Sequence, residues 1–386
     1  MTTERSEENS LRNYEVNERS EKRRNVILTR NDVNKKNLFR YLLYGWLPIP
    51  QSIIPPKRPY YLWNKLEIVP YDPASDYRGK LLDQIKRAVE ITLKEWGHID
   101  RVGVWISGGI DSSVLLYFTS EILGPEKVRA YTLTFGEHDE SEGAERIADW
   151  CGVKLIKKEM TPEDSIRLTR EAVLLSRAPV DSTVVLFISK LTAQDGTSKV
   201  LTALGLDELL GGYPQHVQAS NRNFHKVETE LIWRCQSYYV WLHLMQSKNY
   251  VEIKFPFLEL NLIAFCRGLP RSHKCSGRET KIRLRQELLH KSLIPRENIE
   301  AGRIAGTKGG FIPNLRDWFE RGYEEWCNEN IPPKVSGSLE RLLLRFILNV
   351  GRSLEGRLQR KLRVAALNVF YDLLDEGKFR VEGDRN

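Results

Sequence analysis

The stretch VWISGGIDSS, Val104 to Ser113, constrains this chain more than any other. An uninterrupted apolar run, Val102 to Ile106, precedes it, as in a strand buried on both faces. SSVLLYFTSEIL then resumes with the composition of a helix. Between the two lie Ser107, Gly108, Gly109, Ser112 and Ser113, and a single acid, Asp111. A strand that turns through two glycines into a helix is the unit of a layered α/β sheet. The rhythm repeats downstream. VRAYTLTF (Val128 to Phe135) reads as a strand, ESEGAERIADWCG as a helix ending at Gly152, and VKLIKKEM and KVLTALG (Lys199 to Gly205) as further strands. Upstream, Tyr77 to Trp96 spaces Leu81, Leu82, Ile85, Ala88 and Val89 as one face of a helix. The predicted class is α/β: a doubly wound, mostly parallel sheet with a helical C-terminal part.

Ligands of such sheets gather at the carboxyl ends of the strands. Gly108 and Gly109 allow a tight turn and a close backbone approach. Exposed N–H groups at a helix N-terminus form a cradle for an anion, to which Ser107, Ser112 and Ser113 add hydroxyls. Asp111 repels a phosphate directly, so its sensible partner is a Mg²⁺ that bridges to one. The plainer alternative makes the serines and Asp111 helix caps. The spacing of a Walker loop is absent.

Length and composition bound the rest. The 386 residues are enough for two domains, or for one core with a large appendage, and 41% apolar with 28% charged residues suits a globule. No apolar run is of bilayer length and no leader pattern opens the chain, so a cytoplasmic location without membrane contact is expected. Five cysteines at irregular spacing form no C-x-x-C pair, which points to reduced thiols rather than a zinc site. The net charge of +8 suits an anionic substrate and leaves nucleic acid open as a partner. Residues 1–37 are polar and read as a disordered charged arm. Residues 38–76, aromatic and punctuated by proline, read as a lead-in. An α/β domain is expected over 77–215 and a helical part over 216–386.

Several segments carry a resemblance. S-G-G-x-D-S resembles the pyrophosphate loop of the ATP pyrophosphatases, which cut ATP between the α and β phosphates. GLDELLGGY (Gly205 to Tyr213), IKFPFLELNLIAFCRGLP (Ile253 to Pro270), ETKIRLRQEL (Glu279 to Leu288) and TKGGFIPNLRDWF (Thr307 to Phe319) resemble, in order, signature segments of the asparagine synthetases. YLLYGWLPIPQSI is similar to the end of their glutaminase half. The likeness runs from about residue 38 to 325 and implies an adenine nucleotide alpha hydrolase-like fold that uses ATP and Mg²⁺. It implies that Asp111 and Asp207 bind the metal, and that Ser107, Gly108, Gly109, Ser112 and Ser113 cradle pyrophosphate. Trp105 would lie against the nucleotide, Thr134 and Phe135 near adenine, and Gly205 beside the substrate. Lys281 and Lys308 would face the phosphates and the developing charge, where a cation stabilises the leaving group.

The chain also departs from that pattern. Residue 2 is Thr2, where the family's glutaminase half has its cysteine, so a glutaminase is expected to be absent and ammonia or an amine to come from solution, a partner or the substrate. Leu204 and Leu206 replace an acid and a serine of the second signature. Ala178 stands where a glutamate near the acyl group is expected, with Asp181 the only nearby stand-in. The segment from Leu339 is helical in period and carries Arg341, Arg345, Arg352, Arg357, Arg360, Lys361 and Arg363. It reads either as a packed helix with a solvated basic face or as a grip on RNA. Three functions follow: an AMP-forming amide ligase acting on an unidentified carboxylate, an ATP pyrophosphatase acting on an RNA acceptor, or a non-catalytic relative that binds nucleotide or a partner.

Overall fold

The computed structural model describes residues 24–44, 80–136, 141–232, 235, 251–305, 313–331, 337–350 and 353–383. A two-stranded antiparallel ribbon joins β1 (Arg24–Ile27) to β9 (Arg380–Gly383) near the two ends of the chain. The main sheet contains β2 (Val102–Trp105), β3 (Val128–Thr134), β4 (Lys154–Glu159), β5 (Lys199–Leu201) and β6 (Glu252–Lys254). Its order is β4-β3-β2-β5-β6 and every pair is parallel. A short hairpin, β7 (Cys275–Ser276) with β8 (Glu279–Thr280), follows. The predicted class holds.

All four residues of β2 are buried, as the apolar run requires of a central strand. The helix Ile110–Leu123 after it hides residues around most of its circumference, so it carries no polar stripe. The helix Lys80–Lys94 is the opposite case. Leu81, Leu82, Ile85, Ala88, Val89 and Leu93 form its inner face, and the outer face is charged. Thr161 caps the helix Pro162–Ser176, accepting from the Asp164 N–H while Asp164 accepts from that of Thr161.

The chain writes the sheet in two halves. From β2 it steps outward through β3 to β4, then returns to lay β5 on the other side of β2. The carboxyl ends of β2 and β5 therefore flank the point where strand order reverses, the usual place for a ligand in such a sheet.

Three expectations change, and a fourth falls outside the described residues. The charged arm ends early: β1 is paired, Leu28 and Val33 are buried, and the helix Lys35–Tyr44 begins before residue 38. Strand β6 lies beyond residue 215, and one apolar core runs from Leu28 to Phe379, so 215 divides no separate cores. The lead-in from 45 to 76 lies outside the described residues. The basic segment is two helices, Ser338–Asn349 and Leu354–Asp375. Arg360 is buried and donates to the carbonyls of Ile347 and Val350 at the end of the first helix. Arg363 is buried 3.6 Å from Asp181, and Lys361 pairs with Glu324 at 2.5 Å. Arg360 and Arg363, read as part of a phosphate grip, are thus spent on internal packing, Lys361 is held in a part-exposed ion pair, and Asp181 faces Arg363.

Candidate active site

Two loops leave the sheet at the reversal point. The first runs Ser107-Gly108-Gly109 from β2 into the helix Ile110–Leu123, whose N-cap is Gly109 and has no side-chain cap. The second runs from Thr202 through Gly205 into the short helix Leu206–Leu209. Between them opens a cleft of about 270 Å³, closed on a third side by Lys281 and by Ala301, Gly302 and Ile304.

Close backbone contacts hold the first loop. Gly108 has φ +71° and lies so near Gly143 that a β-carbon would meet its carbonyl carbon at 2.3 Å. Asn298, buried on the helix Arg296–Glu300, pins both: its Nδ2 is 2.9 Å from the Gly108 carbonyl, 2.7 Å from that of Gly143 and 3.1 Å from Ser113 Oγ. Ser112 Oγ donates to the Gly109 carbonyl at 3.1 Å and accepts from the Ser107 N–H at 3.2 Å. In the second loop, a β-carbon on Gly212 would sit 1.8 Å from Asp207 Oδ1, so this glycine makes room for the carboxylate.

The loops bring Asp111 and Asp207 together on one cation. Lys281 Nζ is 2.6 Å from Asp111 Oδ2 and 2.6 Å from Asp207 Oδ1. Its backbone is left-handed, φ +54° and ψ +37°, which is uncommon for a residue with a β-carbon. Burial pushes the Asp111 carboxyl up to about 6, against the pull of Lys281 and with the repulsion of Asp207. Burial lowers the Lys281 ammonium, but Asp111 and Asp207 outweigh it and hold its pKa above the usual value. Asp111 Oδ1 is buried with no hydrogen-bond partner. Behind Lys281, the buried Arg285 donates to the carbonyls of Thr280, Ile299 and Ala301 and fixes that wall.

Among the described residues no three His, Cys, Asp or Glu side chains gather as a metal cage. The pair Asp111 and Asp207, with one oxygen unpartnered, fits Mg²⁺ instead, which takes one or two carboxylates plus substrate phosphates and water.

Trp105, Ser107, Gly109, Asp111, Ser112, Gly205, Asp207 and Lys281 all line the cleft. Four expected site residues do not. Gly108 packs on Gly143, and the Ser113 hydroxyl turns inward to Asn298, so neither presents a side to the cleft. The Thr134 carbonyl accepts from the Met160 N–H, and Phe135 packs edge-on against Trp318 at 5.8 Å. Lys308 lies outside the described residues. Asp111 faces Lys281 rather than a helix terminus, so the capping alternative does not describe it.

Sequence reasoning missed a polar cluster beside Asp207. Burial, then the charge of Asp207, pushes the Glu208 carboxyl up to about 7, and Tyr213 Oη donates to it at 2.9 Å. His216 stacks on Tyr213 and accepts from its N–H at 3.3 Å. Glu208 and Tyr213 were in view inside GLDELLGGY; Asn298 and Gly143 carry no motif of their own.

The family model for Asparagine synthase matches residues 80–248 and 221–368, which include every described residue of this cleft. The chain belongs to the asparagine synthase family. It is 27% identical over 221 residues to a glutamine-hydrolysing asparagine synthetase of Methanocaldococcus jannaschii, covering 53% of this chain and 38% of that protein. With the glutamine-hydrolysing asparagine synthetase 2 of Oryza sativa subsp. japonica it shares 28% identity over 179 residues, covering 42% of this chain and 30% of that one. The matched region is thus less than half the length of either family member. A solved NMN synthetase from Francisella tularensis aligns with 97% of its length over 73% of this chain, at a TM-score of 0.34 and 13% identity, too distant to carry an argument.

Two measurements test this construction. Asn298→Ala leaves the Gly108 and Gly143 carbonyls without their buried donor and should lower stability by about 2–3 kcal/mol, read as a lower urea midpoint at unchanged slope. His216 is held down to about 4 by burial first, with Lys274 adding to it. A histidine depressed in the folded state contributes stability that is present above its unfolded value of 6.5 and is lost as pH falls toward about 4. The wild type should lose roughly 3 kcal/mol across that window through this group, and His216→Phe should remove that part of the slope in melts at pH 7, 5.5 and 4.5.

Proposed function

We propose that this chain is an ATP-dependent amide ligase that cleaves ATP between the α and β phosphates, activates a carboxylate as its adenylate and passes the acyl group to ammonia or an amine. The observation that carries this reading is the meeting of Asp111 and Asp207, from the loops after two adjacent strands, at the reversal point of the sheet. Asp111 and Asp207 would hold Mg²⁺, which would supply charge neutralisation on the pyrophosphate as it leaves. The N–H groups of the helix Ile110–Leu123, left without a side-chain cap, and the Ser107 hydroxyl would receive its oxygens. Trp105 would lie against the nucleotide and Gly205 would let the acyl group approach the backbone. We assign Lys308 to the developing charge at the transition state on the motif alone.

The wall beyond Gly205 is formed by Ala203, Leu204 and Ile304, which suits an acyl group whose far end is uncharged. The nitrogen does not come from glutamine hydrolysed by this chain. Burial pushes the Cys151 thiol up to about 11 and those of Cys266 and Cys327 up to about 12, and it raises Cys235 and Cys275 as well, so no cysteine is poised as a thiolate. Arg360 and Arg363 are held inside the fold, which takes two of the seven cations out of an RNA-binding face.

The products of turnover with a panel of carboxylates and ammonia should be AMP and pyrophosphate; ADP and phosphate would refute the chemistry. Asp111→Asn should weaken Mg-ATP binding by about 10–100-fold or more in calorimetry, since loss of even an outer partner of a metal site costs that much. A coupled assay should detect no glutamate released from glutamine by this chain, and steady release would overturn that assignment.

A further inference from the structure

We propose that Lys281 is a built-in counter-ion: it occupies the divalent-cation position between Asp111 and Asp207 while the site is empty, and it must swing away when metal and nucleotide enter together. This rests on the reading of Asp111 and Asp207 as metal ligands.

The geometry points to one position claimed by two kinds of cation. The Lys281 ammonium is 2.6 Å from one oxygen of each carboxylate and is 8% exposed, so it is the bridge between them. A magnesium ion bonds carboxylate oxygen at about 2.0–2.1 Å and tolerates little distortion. An ammonium and a divalent cation cannot both hold the same two oxygens at contact distance without strong repulsion. Among the described residues, the nearby Arg285 does not replace Lys281 there, because all three sides of its guanidinium are taken by backbone carbonyls. Among the described residues Lys281 is the hydrogen-bond donor to the Asp111 carboxylate, whose second oxygen is buried and unpartnered.

The lysine is nevertheless able to leave. It stands in left-handed backbone at the start of the helix Ile282–Lys291, so its position is set by the main chain and only its four-carbon stem needs to move. Asp207 is 39% exposed on the cleft side, which gives the ammonium an exit toward the space a phosphate would fill. In that space it would regain the charge partner it loses. Lys281 therefore makes metal binding conditional: bare metal must displace a buried ammonium into the solvent-facing cleft, whereas metal with a polyphosphate offers that ammonium a new anion. The device keeps Asp111 and the part-exposed Asp207 from facing each other uncompensated in the empty site, and it ties metal entry to nucleotide.

The test is a direct titration of Mn²⁺, read by calorimetry and by the paramagnetic signal of free metal, at pH 8 with and without pyrophosphate. For the wild type, affinity for Mn²⁺ alone should be weak and should tighten about tenfold or more when pyrophosphate is present, the scale expected when a like charge in contact gains an anion. Lys281→Met, whose chain is of similar length and neutral, should bind Mn²⁺ alone about tenfold or more tightly than wild type, and should gain less from pyrophosphate. Lys281→Arg, which keeps the charge, should resemble wild type. Circular dichroism and melting verify that each variant is folded. If wild type binds Mn²⁺ equally well with and without pyrophosphate, or folded Lys281→Met binds bare Mn²⁺ no tighter, the counter-ion role is wrong while the metal reading stands. If no protein binds Mn²⁺ even with pyrophosphate, both fall. The wild-type comparison decides the matter even if Lys281→Met does not fold.

Discussion

The bridge from Lys281 to Asp111 and Asp207 is the interaction on which the rest of the cleft depends. Each member comes from a different part of the chain: the loop after β2, the loop after β5, and the segment after the β7–β8 hairpin. Ionised groups this buried are costly to desolvate and are tolerated only when paired. Burial disfavours the charge of Asp111, while Lys281 favours it. The bridge therefore ties both sheet loops to the C-terminal segment that carries Lys281. That dependence explains why the helical part contributes to the same core as the sheet rather than forming an independent domain. It also explains the left-handed backbone at Lys281, a conformation that persists only where surrounding contacts determine it. The Lys281 N–H donates to the Leu210 carbonyl, its own carbonyl begins the next helix, and Arg285 one turn on anchors the facing wall.

A second constraint is space. An anion cradle built from main-chain N–H groups needs the backbone itself at the ligand, and side chains obstruct that. Gly108 against Gly143 and Gly212 against Asp207 are two places in the site where a β-carbon has no room. The first lets the β2 loop lie on the helix Glu142–Trp150, where Asn298 gathers the exposed carbonyls of both. The second lets Asp207 fold back over its own turn toward Lys281. Glycine does different work at the two sites: one fixes the loop, the other aims a carboxylate.

Much of this was legible in the residues because it is local. The β2 strand, its glycine turn and the following helix are contiguous, and the alternation of apolar strands with amphipathic helices carries the sheet class. Motif order brought Asp111, Asp207 and Lys281 into one site from positions far apart in the chain. What escaped is what depends on distant packing. Strand β6 is three residues long with only Ile253 well buried, too short for a period to register. Asn298 has no pattern around it, and its importance is visible only where three acceptors converge. Ser113 looks like Ser112 in sequence, but one helical step turns its hydroxyl into the core. The arginines after Leu354 read as a basic surface until Arg360 is seen to close the preceding helix and Arg363 to meet Asp181.

The distribution of polarity in the cleft bears on selectivity. The cleft lining combines Asp111, Asp207, Lys281, Ser107 and Ser112 with the polar Thr202, Glu208 and Tyr213 and the apolar Trp105, Ala203, Leu204 and Ile304. The charged groups offer directed contacts to an anion, while the apolar residues offer shape alone. A pocket that discriminates by apolar contact alone separates acyl groups differing by one methylene by only about 1–3 kcal/mol. Sharp rejection of close analogues needs buried polar groups that a wrong substrate leaves unpaired. The nearest such group is Glu208, whose carboxyl already has Tyr213 on one oxygen and has the other buried without a partner. Selectivity in this cleft therefore falls to whatever meets Glu208 and to the volume left by Leu204, rather than to the charged groups around Lys281.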